Sequence, residues 1–119
     1  MIMVTLVKDK SIYDLISLKG KRALITGAAS GIGKAVSYRL AEVGTDLYLV
    51  DINEKDLRIL KDELYEKYKV DVEEFMVDLS KKKNIDELWK MIEGREPDIL
   101  VNNAGIYLFK DFIEVDEIS

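Results

Sequence analysis

Residues 26–33 read TGAASGIG and stand between a short apolar run and an amphipathic segment. This stretch constrains the fold more than any other. Glycines so closely spaced after a strand, and opening a helix, predict a tight turn from strand to helix. Gly27 takes unusual dihedrals without a side-chain penalty. Gly31 allows a pyrophosphate to approach the backbone, and Gly33 allows the helix to pack closely on the sheet. The free amides of the first helical turn and the helix dipole then face an anion, and Ser30 adds a hydroxyl donor. A P-loop fits less well, because Lys34 is followed by Ala35 rather than by the Ser or Thr that would bind magnesium.

The surrounding pattern repeats this strand-to-helix theme. Arg22–Thr26 is a short, largely apolar run, as a buried parallel strand requires. Residues 32–43 read as a helix with Ile32, Ala35, Val36, Leu40 and Val43 on one side, and Gly44 ends it. Asp46–Asp51 is a second strand. Asn53 can cap the next helix, whose Leu57, Leu60, Leu64 and Tyr68 recur at helical spacing. Residues 72–77 supply a third strand that leads to Asp78. Ser80 or Asn84 can cap a third helix, with Ile85, Leu88, Trp89 and Ile92 as its buried stripe. Gly94 and Pro97 stop it, and residues 98–101 form a fourth strand. Strands alternating with helices at short spacing predict an α/β fold, a Rossmann-type doubly wound parallel sheet with right-handed crossovers. Residues 1–20 form an N-terminal extension. In it, Ile2, Val4 and Leu6 suit a short strand, and Ser11 suits a helix cap before Ile12, Leu15 and Ile16. Residues 21–119 form a Rossmann half-domain that carries the glycine turn.

Composition narrows the chemistry. The 119 residues contain no cysteine and no histidine, which removes disulfides, thiolate chemistry, His acid–base chemistry and most zinc sites. The net charge is −5, from 18 basic and 23 acidic residues, and the charges are mixed. Lys81, Lys82 and Lys83 form the one basic run and read as solvated surface, so nucleic acid is not an expected partner. No apolar run approaches the ~20 residues of a membrane span. A membrane is therefore not expected as a partner either. With no secretory signal at the start of the sequence, the expected location is cytoplasmic.

Two acids fall where ligand chemistry is expected. Asp51 ends the second strand, close to the ~20-residue offset at which an acid meets the adenosine ribose of a dinucleotide. A 2′-phosphate there would face like charge, and Ile52 follows rather than Arg or Lys, so NAD is favoured over NADP. A loop-capping role for Asp51 is the alternative. Asp78 ends the third strand and can reach the same crevice. Asp98 begins its strand and so belongs to the opposite sheet edge, which argues against a magnesium site shared by the three acids. No metal site is expected. Asn102, Asn103, Ala104 and Gly105 follow the fourth strand, where small residues permit close backbone approach and Asn amides can tie strand ends together.

In order along the chain, TGxxxGxG at residues 26–33, the acidic strand end Asp51, Asp78 with Leu79, and NNAG at residues 102–105 resemble the short-chain dehydrogenase/reductase family. The resemblance runs from about Leu18 to the last residue. It implies that Gly27, Ser30, Gly31, Ile32 and Gly33 wrap the pyrophosphate and adjacent riboses, and that Asp51 selects NAD. It further implies that Asp78 bonds the adenine amino group while Leu79 closes on the ring. Asn103, Ala104 and Gly105 would lie along the cofactor riboses, and Asn102 would hold the central strands.

The family continues past this motif with a helical Asn, a catalytic Ser and a Tyr-x-x-x-Lys pair, and these do not follow Gly105 here. Of the six tyrosines, Tyr65 alone has a lysine four residues on, Lys69. That pair precedes the NNAG motif, on a polar helix, and reads as a chance match. No catalytic residue is therefore assigned. The expectation is the NAD(P)-binding portion of an oxidoreductase that, when complete, moves hydride between NAD and a small-molecule carbonyl or alcohol, and that can be oligomeric. The alternatives are a non-catalytic NAD-binding module and a structural α/β domain. A fourth strand left at the sheet edge would be exposed and apolar; Phe109, Phe112 and Ile113 either cover part of it or belong to a helix and loop that pack on the rest of the family's sheet.

Overall fold

The structure is a computed structural model that describes residues 17–104. The strand and helix expected within residues 2–16, Gly105, and the cover by Phe109, Phe112 and Ile113 lie outside the described residues. Seven elements follow in order: β1 (Arg22–Thr26), α1 (Gly31–Glu42), β2 (Asp46–Asp51), α2 (Glu54–Tyr68), β3 (Val72–Met76), α3 (Lys82–Met91) and β4 (Ile99–Asn102). The strands form one parallel sheet in the order β3-β2-β1-β4. Each strand pair is in register, with Leu24 opposite both Tyr48 and Leu100.

Alternation along the strands builds two cores, one on each face. Ala23, Ile25, Leu47, Leu49 and Ile99 point to the face covered by α1 and α2, where they meet Val36, Leu40, Leu57, Leu60 and Leu64. Leu24, Tyr48, Val50 and Leu100 point to the other face and meet Ile85, Leu88 and Ile92 of α3. Trp89 is half-buried against this second core, as expected of a packing residue. Strands buried on both sides explain why β1 and β2 carry near-continuous apolar runs rather than alternating ones. Truncating any of these buried leucines to Ala would cost about 2–5 kcal/mol. Leu18, ahead of β1, packs on the first core, and its amide donates to the Val43 carbonyl at 3.2 Å.

One helix face differs from expectation. The buried residues of α1 are Gly33, Val36, Ser37, Leu40 and Ala41, whereas Ile32 is 72% exposed and Ala35 is also exposed. The helix is rolled so that Gly33 meets the preceding turn and Ser37 and Ala41 lie on the buried face. Ser37 is accommodated there because its hydroxyl donates to the Gly33 carbonyl at 2.8 Å within the helix. Ile32 is left at the open end of the sheet.

Strand order reverses between β1 and β4. The chain steps outward from β1 to β2 to β3 and then crosses back to β4 on the other side of β1. Such a switch point leaves a crevice at the carboxyl ends of the strands. Here it lies between the turn after Thr26 and the turn after Asn102.

Candidate functional site

The site is built on a braced turn. The fully buried Thr26 hydroxyl lies 3.2 Å from the Asn102 side-chain oxygen, to which it can donate, and accepts from the Ala104 amide at 3.0 Å. The Asn103 side-chain amide donates to the Gly27 carbonyl at 3.4 Å. Together these bonds lock the end of β1 to the end of β4. Thr26 was not singled out from the sequence beyond its place in the motif. Its signal is a hydroxyl at the end of an apolar strand, where a buried polar group must find a partner.

The three glycines of the turn do different work. A Cβ on Gly33 would lie 2.1 Å from the Gly27 carbonyl oxygen, so Gly33 lets α1 start directly beneath the turn. Gly31 has φ +56 and nothing within 4 Å of where its Cβ would be. Its open side is bare of the described residues. Gly27, also with positive φ, is hemmed in by Asn103.

Above Gly31 the start of α1 is uncapped. Ser30 takes the N-cap position in an extended conformation but makes no capping bond, and the first turn holds no acid. At the same sheet edge, α2 is closed by its own side chains. Asn53 accepts from the Asp56 amide at 3.1 Å, and Glu54 and Asp56 occupy the first turn. An uncapped helix start offers free N–H donors and a partial positive charge to an anion.

Asp51 faces this donor set across the crevice. Its two carboxylate oxygens accept from the Ala29 amide at 3.0 Å and from the Asn53 amide at 3.1 Å. It therefore does cap loops, as the alternative reading held. A carboxylate has about four acceptor positions, so the described residues leave two of them open. Asp78 is likewise held from one side. Ser80 donates its amide and hydroxyl to one carboxylate oxygen at 3.0 and 2.6 Å. These bonds hold the Asp78 carboxyl below the usual carboxylate range.

Gly27, Asp51, Asp78, Leu79 and Ala104 line one cleft of about 220 Å³, together with Val50, Ile52, Val77 and Ser80. Ser30, Gly31 and Ile32 stand exposed on the adjoining turn, while Gly33 and Asn103 support it from below. The cleft has one acid at the end of β2 and another two residues past β3, an apolar wall, and a neighbouring anion cradle. That set suits a ligand with phosphates, a sugar and a flat base. A second depression, about 490 Å³, is lined only by α2 residues such as Lys55 and Ile59, and no other element converges on it. Ser80 and Asn84 do not cap α3. The N-cap is Lys81, without a capping bond, and both polar side chains turn back to residue 78.

Asp98 lies at the far edge of the sheet, where it accepts from the Arg22 amide at 3.0 Å. Tyr65 and Lys69 close the far end of α2, with the Lys69 ammonium 5.5 Å from the Tyr65 ring centre. Since α2 starts at the cleft edge and runs antiparallel to the strands, this pair sits away from the cleft. Among the described residues no group of His, Cys, Asp and Glu is placed to hold a metal, and no helix is long and apolar enough to cross a membrane.

Comparison with known proteins agrees with this geometry. The family model described as short chain dehydrogenase matches residues 21–118. Diacetyl reductase [(S)-acetoin forming] of Staphylococcus epidermidis is 40% identical over 99 residues, covering 82% of this chain and 38% of its own length. Inactive hydroxysteroid dehydrogenase-like protein 1 of Homo sapiens is 33% identical over 95 residues, covering 79% of this chain and 29% of its own. The crystal structure of L-sorbose reductase from Gluconobacter frateurii, complexed with NADPH and L-sorbose, superposes with a TM-score of 0.70 at 35% identity. That match covers 76% of this chain and 36% of the reductase chain. The chain thus spans well under half the length of these relatives. The matched stretch contains the braced turn, both cleft acids and the crevice between β1 and β4, and the chain belongs to the short-chain dehydrogenase family.

Proposed function

We propose that residues 21–119 are the NAD-binding portion of a short-chain dehydrogenase/reductase, preceded by an extension over residues 1–20. In the whole enzyme, hydride passes between the nicotinamide and a small-molecule carbonyl or alcohol. The observation that carries this reading is the pairing of an uncapped helix start beside the bare side of Gly31 with Asp51, on whose carboxylate the described residues leave two acceptor positions open.

The residues fit a dinucleotide. Ser30, Gly31 and Ile32 take the pyrophosphate on backbone amides, and Gly27 and Gly33 shape that turn. Asp51 accepts from the adenosine ribose hydroxyls. Asp78 and Leu79 receive the base, and Asn103 and Ala104, with Gly105 next in the motif, are assigned to the riboses. When bound, the nicotinamide supplies the hydride donor or acceptor. The residues of this chain hold and orient it, and none of them is assigned a proton transfer.

NAD is favoured over NADP because a 2′-phosphate would add negative charge beside Asp51, with Ile52 rather than a cation next to it. L-sorbose reductase, crystallised with NADPH, shows that a similar fold can take the phosphorylated form, so the choice rests on Asp51 and not on the fold. The human relative named inactive shares this half at 33% identity. That supports a second reading, a non-catalytic NAD-binding protein, which would bind NAD equally well and turn over nothing.

Calorimetric titration with NAD and NADP tests the proposal. The wild type is expected to prefer NAD by about tenfold or more, and Asp51→Ala to weaken NAD and narrow that preference. Equal affinity for the two cofactors in the wild type would refute the NAD assignment. No binding of either at millimolar concentration would end the cofactor reading.

A further inference from the structure

Two residues with helix-capping chemistry stand at the start of α3, and neither caps it. Ser80 precedes the N-cap Lys81, and Asn84 is the third residue of the helix. Leaving a helix start without a side-chain cap forfeits stability. Both side chains go instead to Asp78. The Ser80 amide and hydroxyl donate to Oδ1 at 3.0 and 2.6 Å, and the Asn84 side-chain amide donates to the Asp78 carbonyl at 2.9 Å. Main chain and carboxylate of one exposed residue are thus fixed from the same helix start. Oδ2 receives no hydrogen bond from the described residues, and Asp78 lines the cleft with Leu79.

An ionised carboxylate only accepts hydrogen bonds. It therefore favours a base that presents an amino group and disfavours one that presents a carbonyl oxygen. The preference is large only if the carboxylate is held in place beforehand, because an exposed Asp free to rotate turns away from an unfavourable neighbour at little cost.

We propose that Asn84, together with Ser80, is a positioning residue for base recognition: the pair presents the free Oδ2 of Asp78 to the exocyclic amino group of an adenine in the cleft, so the chain discriminates a 6-amino purine from a 6-oxo purine. This rests on the cofactor reading above.

The test compares NAD with nicotinamide hypoxanthine dinucleotide, in which a carbonyl oxygen replaces that amino group and N1 carries a proton. Dissociation constants are measured by fluorescence titration for the wild-type chain, Asn84→Ala and Ser80→Ala, with thermal unfolding of each. The wild type is expected to prefer NAD by about tenfold. Both variants should reduce that ratio at least threefold, by weakening NAD more than the hypoxanthine form. A purely structural role would weaken both ligands alike, and an unchanged ratio in both variants overturns the proposal. Should Asn84→Ala fail to fold, Ser80→Ala decides, because it removes one exposed hydroxyl. A wild type that binds both dinucleotides equally refutes base reading by Asp78 but leaves the cofactor reading standing. A wild type that binds neither refutes both.

Discussion

The two ends of the sheet are built from similar residue types and use them in opposite ways. At the amino end, Arg22 donates to the Tyr48 hydroxyl at 2.8 Å and pairs with Asp71 at 3.2 Å. Tyr48 in turn donates to the Arg95 carbonyl at 2.8 Å, and Arg95 pairs with Glu73. The guanidinium carbons of Arg22 and Arg95 lie 4.9 and 5.6 Å from the Tyr48 ring centre. Charge meets charge, and these side chains satisfy one another from within. At the carboxyl end, the α1 start is uncapped, Asp51 keeps spare acceptor positions, and one oxygen of Asp78 has no partner among the described residues. The difference separates groups that hold the fold from groups kept available for a ligand.

The largest expected effect tests where that division runs through the glycine turn itself. Gly33→Val drives a side chain into the Gly27 carbonyl and should cost roughly 3 kcal/mol, with cofactor binding lost as the turn shifts. Gly31→Asn meets open space, and Asn tolerates the left-handed backbone better than most residues. It should cost less than about 1 kcal/mol yet weaken NAD more than tenfold, because the side chain occupies the phosphate approach. Urea unfolding and NAD titration of both variants check this. A Gly31→Asn chain that binds NAD normally would show that the phosphates lie elsewhere.

The mirror experiment lies at the closed end. Tyr48→Phe keeps the buried ring and removes both hydroxyl bonds, leaving the Arg95 carbonyl without that donor. The expected loss is about 1–3 kcal/mol. NAD affinity should be unchanged, since Tyr48 does not line the cleft. A matching loss of affinity would mean that the two ends are coupled through β2, and the division would fail.

Much of this was legible in the sequence, and the exceptions share a cause. Strands stand out where apolar runs are punctuated by Gly, Asp or Asn, as in Arg22–Thr26 and Asp46–Asp51, because burial on both faces demands such runs. Ile32 and Ala35 were expected inside and lie outside. Hydrophobic periodicity cannot register that Gly33 is needed where α1 touches the turn, or that Ser37 can be buried by bonding back to Gly33. Thr26, Ser80 and Asn84 work through hydrogen bonds to residues brought near by the fold. Their partners depend on geometry that no local pattern carries. Asp51 was legible as a choice between capping and ligand binding, and the geometry gives it the capping bonds together with free lone pairs.

Between the two ends, Tyr38 ties α1 to α2 through a hydrogen bond to Glu63. This bond, with burial, pushes the phenol from 10.0 up to about 12. The folded chain keeps the proton that the unfolded chain releases. The contribution is therefore fully present below pH 10 and is lost as pH rises towards 12. Tyr38→Phe should flatten the fall in stability across that window and leave neutral-pH NAD affinity unchanged. Unfolding curves at stepped alkaline pH check the slope. An identical slope in the variant would assign the alkaline loss to other groups.

The smallest expected effect is again at the closed end. Lys69 ends α2 in the left-handed conformation, with φ 58, a geometry that glycine takes without steric cost. Lys69→Gly relieves that strain, but it also loosens the unfolded chain and gives up the Lys69 contact with the Tyr65 ring. The terms nearly cancel and leave a gain of about 0.5 kcal/mol or less. If the Tyr65 and Lys69 pair had a part in catalysis or cofactor binding, the same substitution would abolish it. Its distance from the cleft predicts a chain slightly more stable, with NAD affinity indistinguishable from wild type in a fluorescence titration. A loss of affinity there would move function to the end of the sheet that the bonding pattern marks as closed.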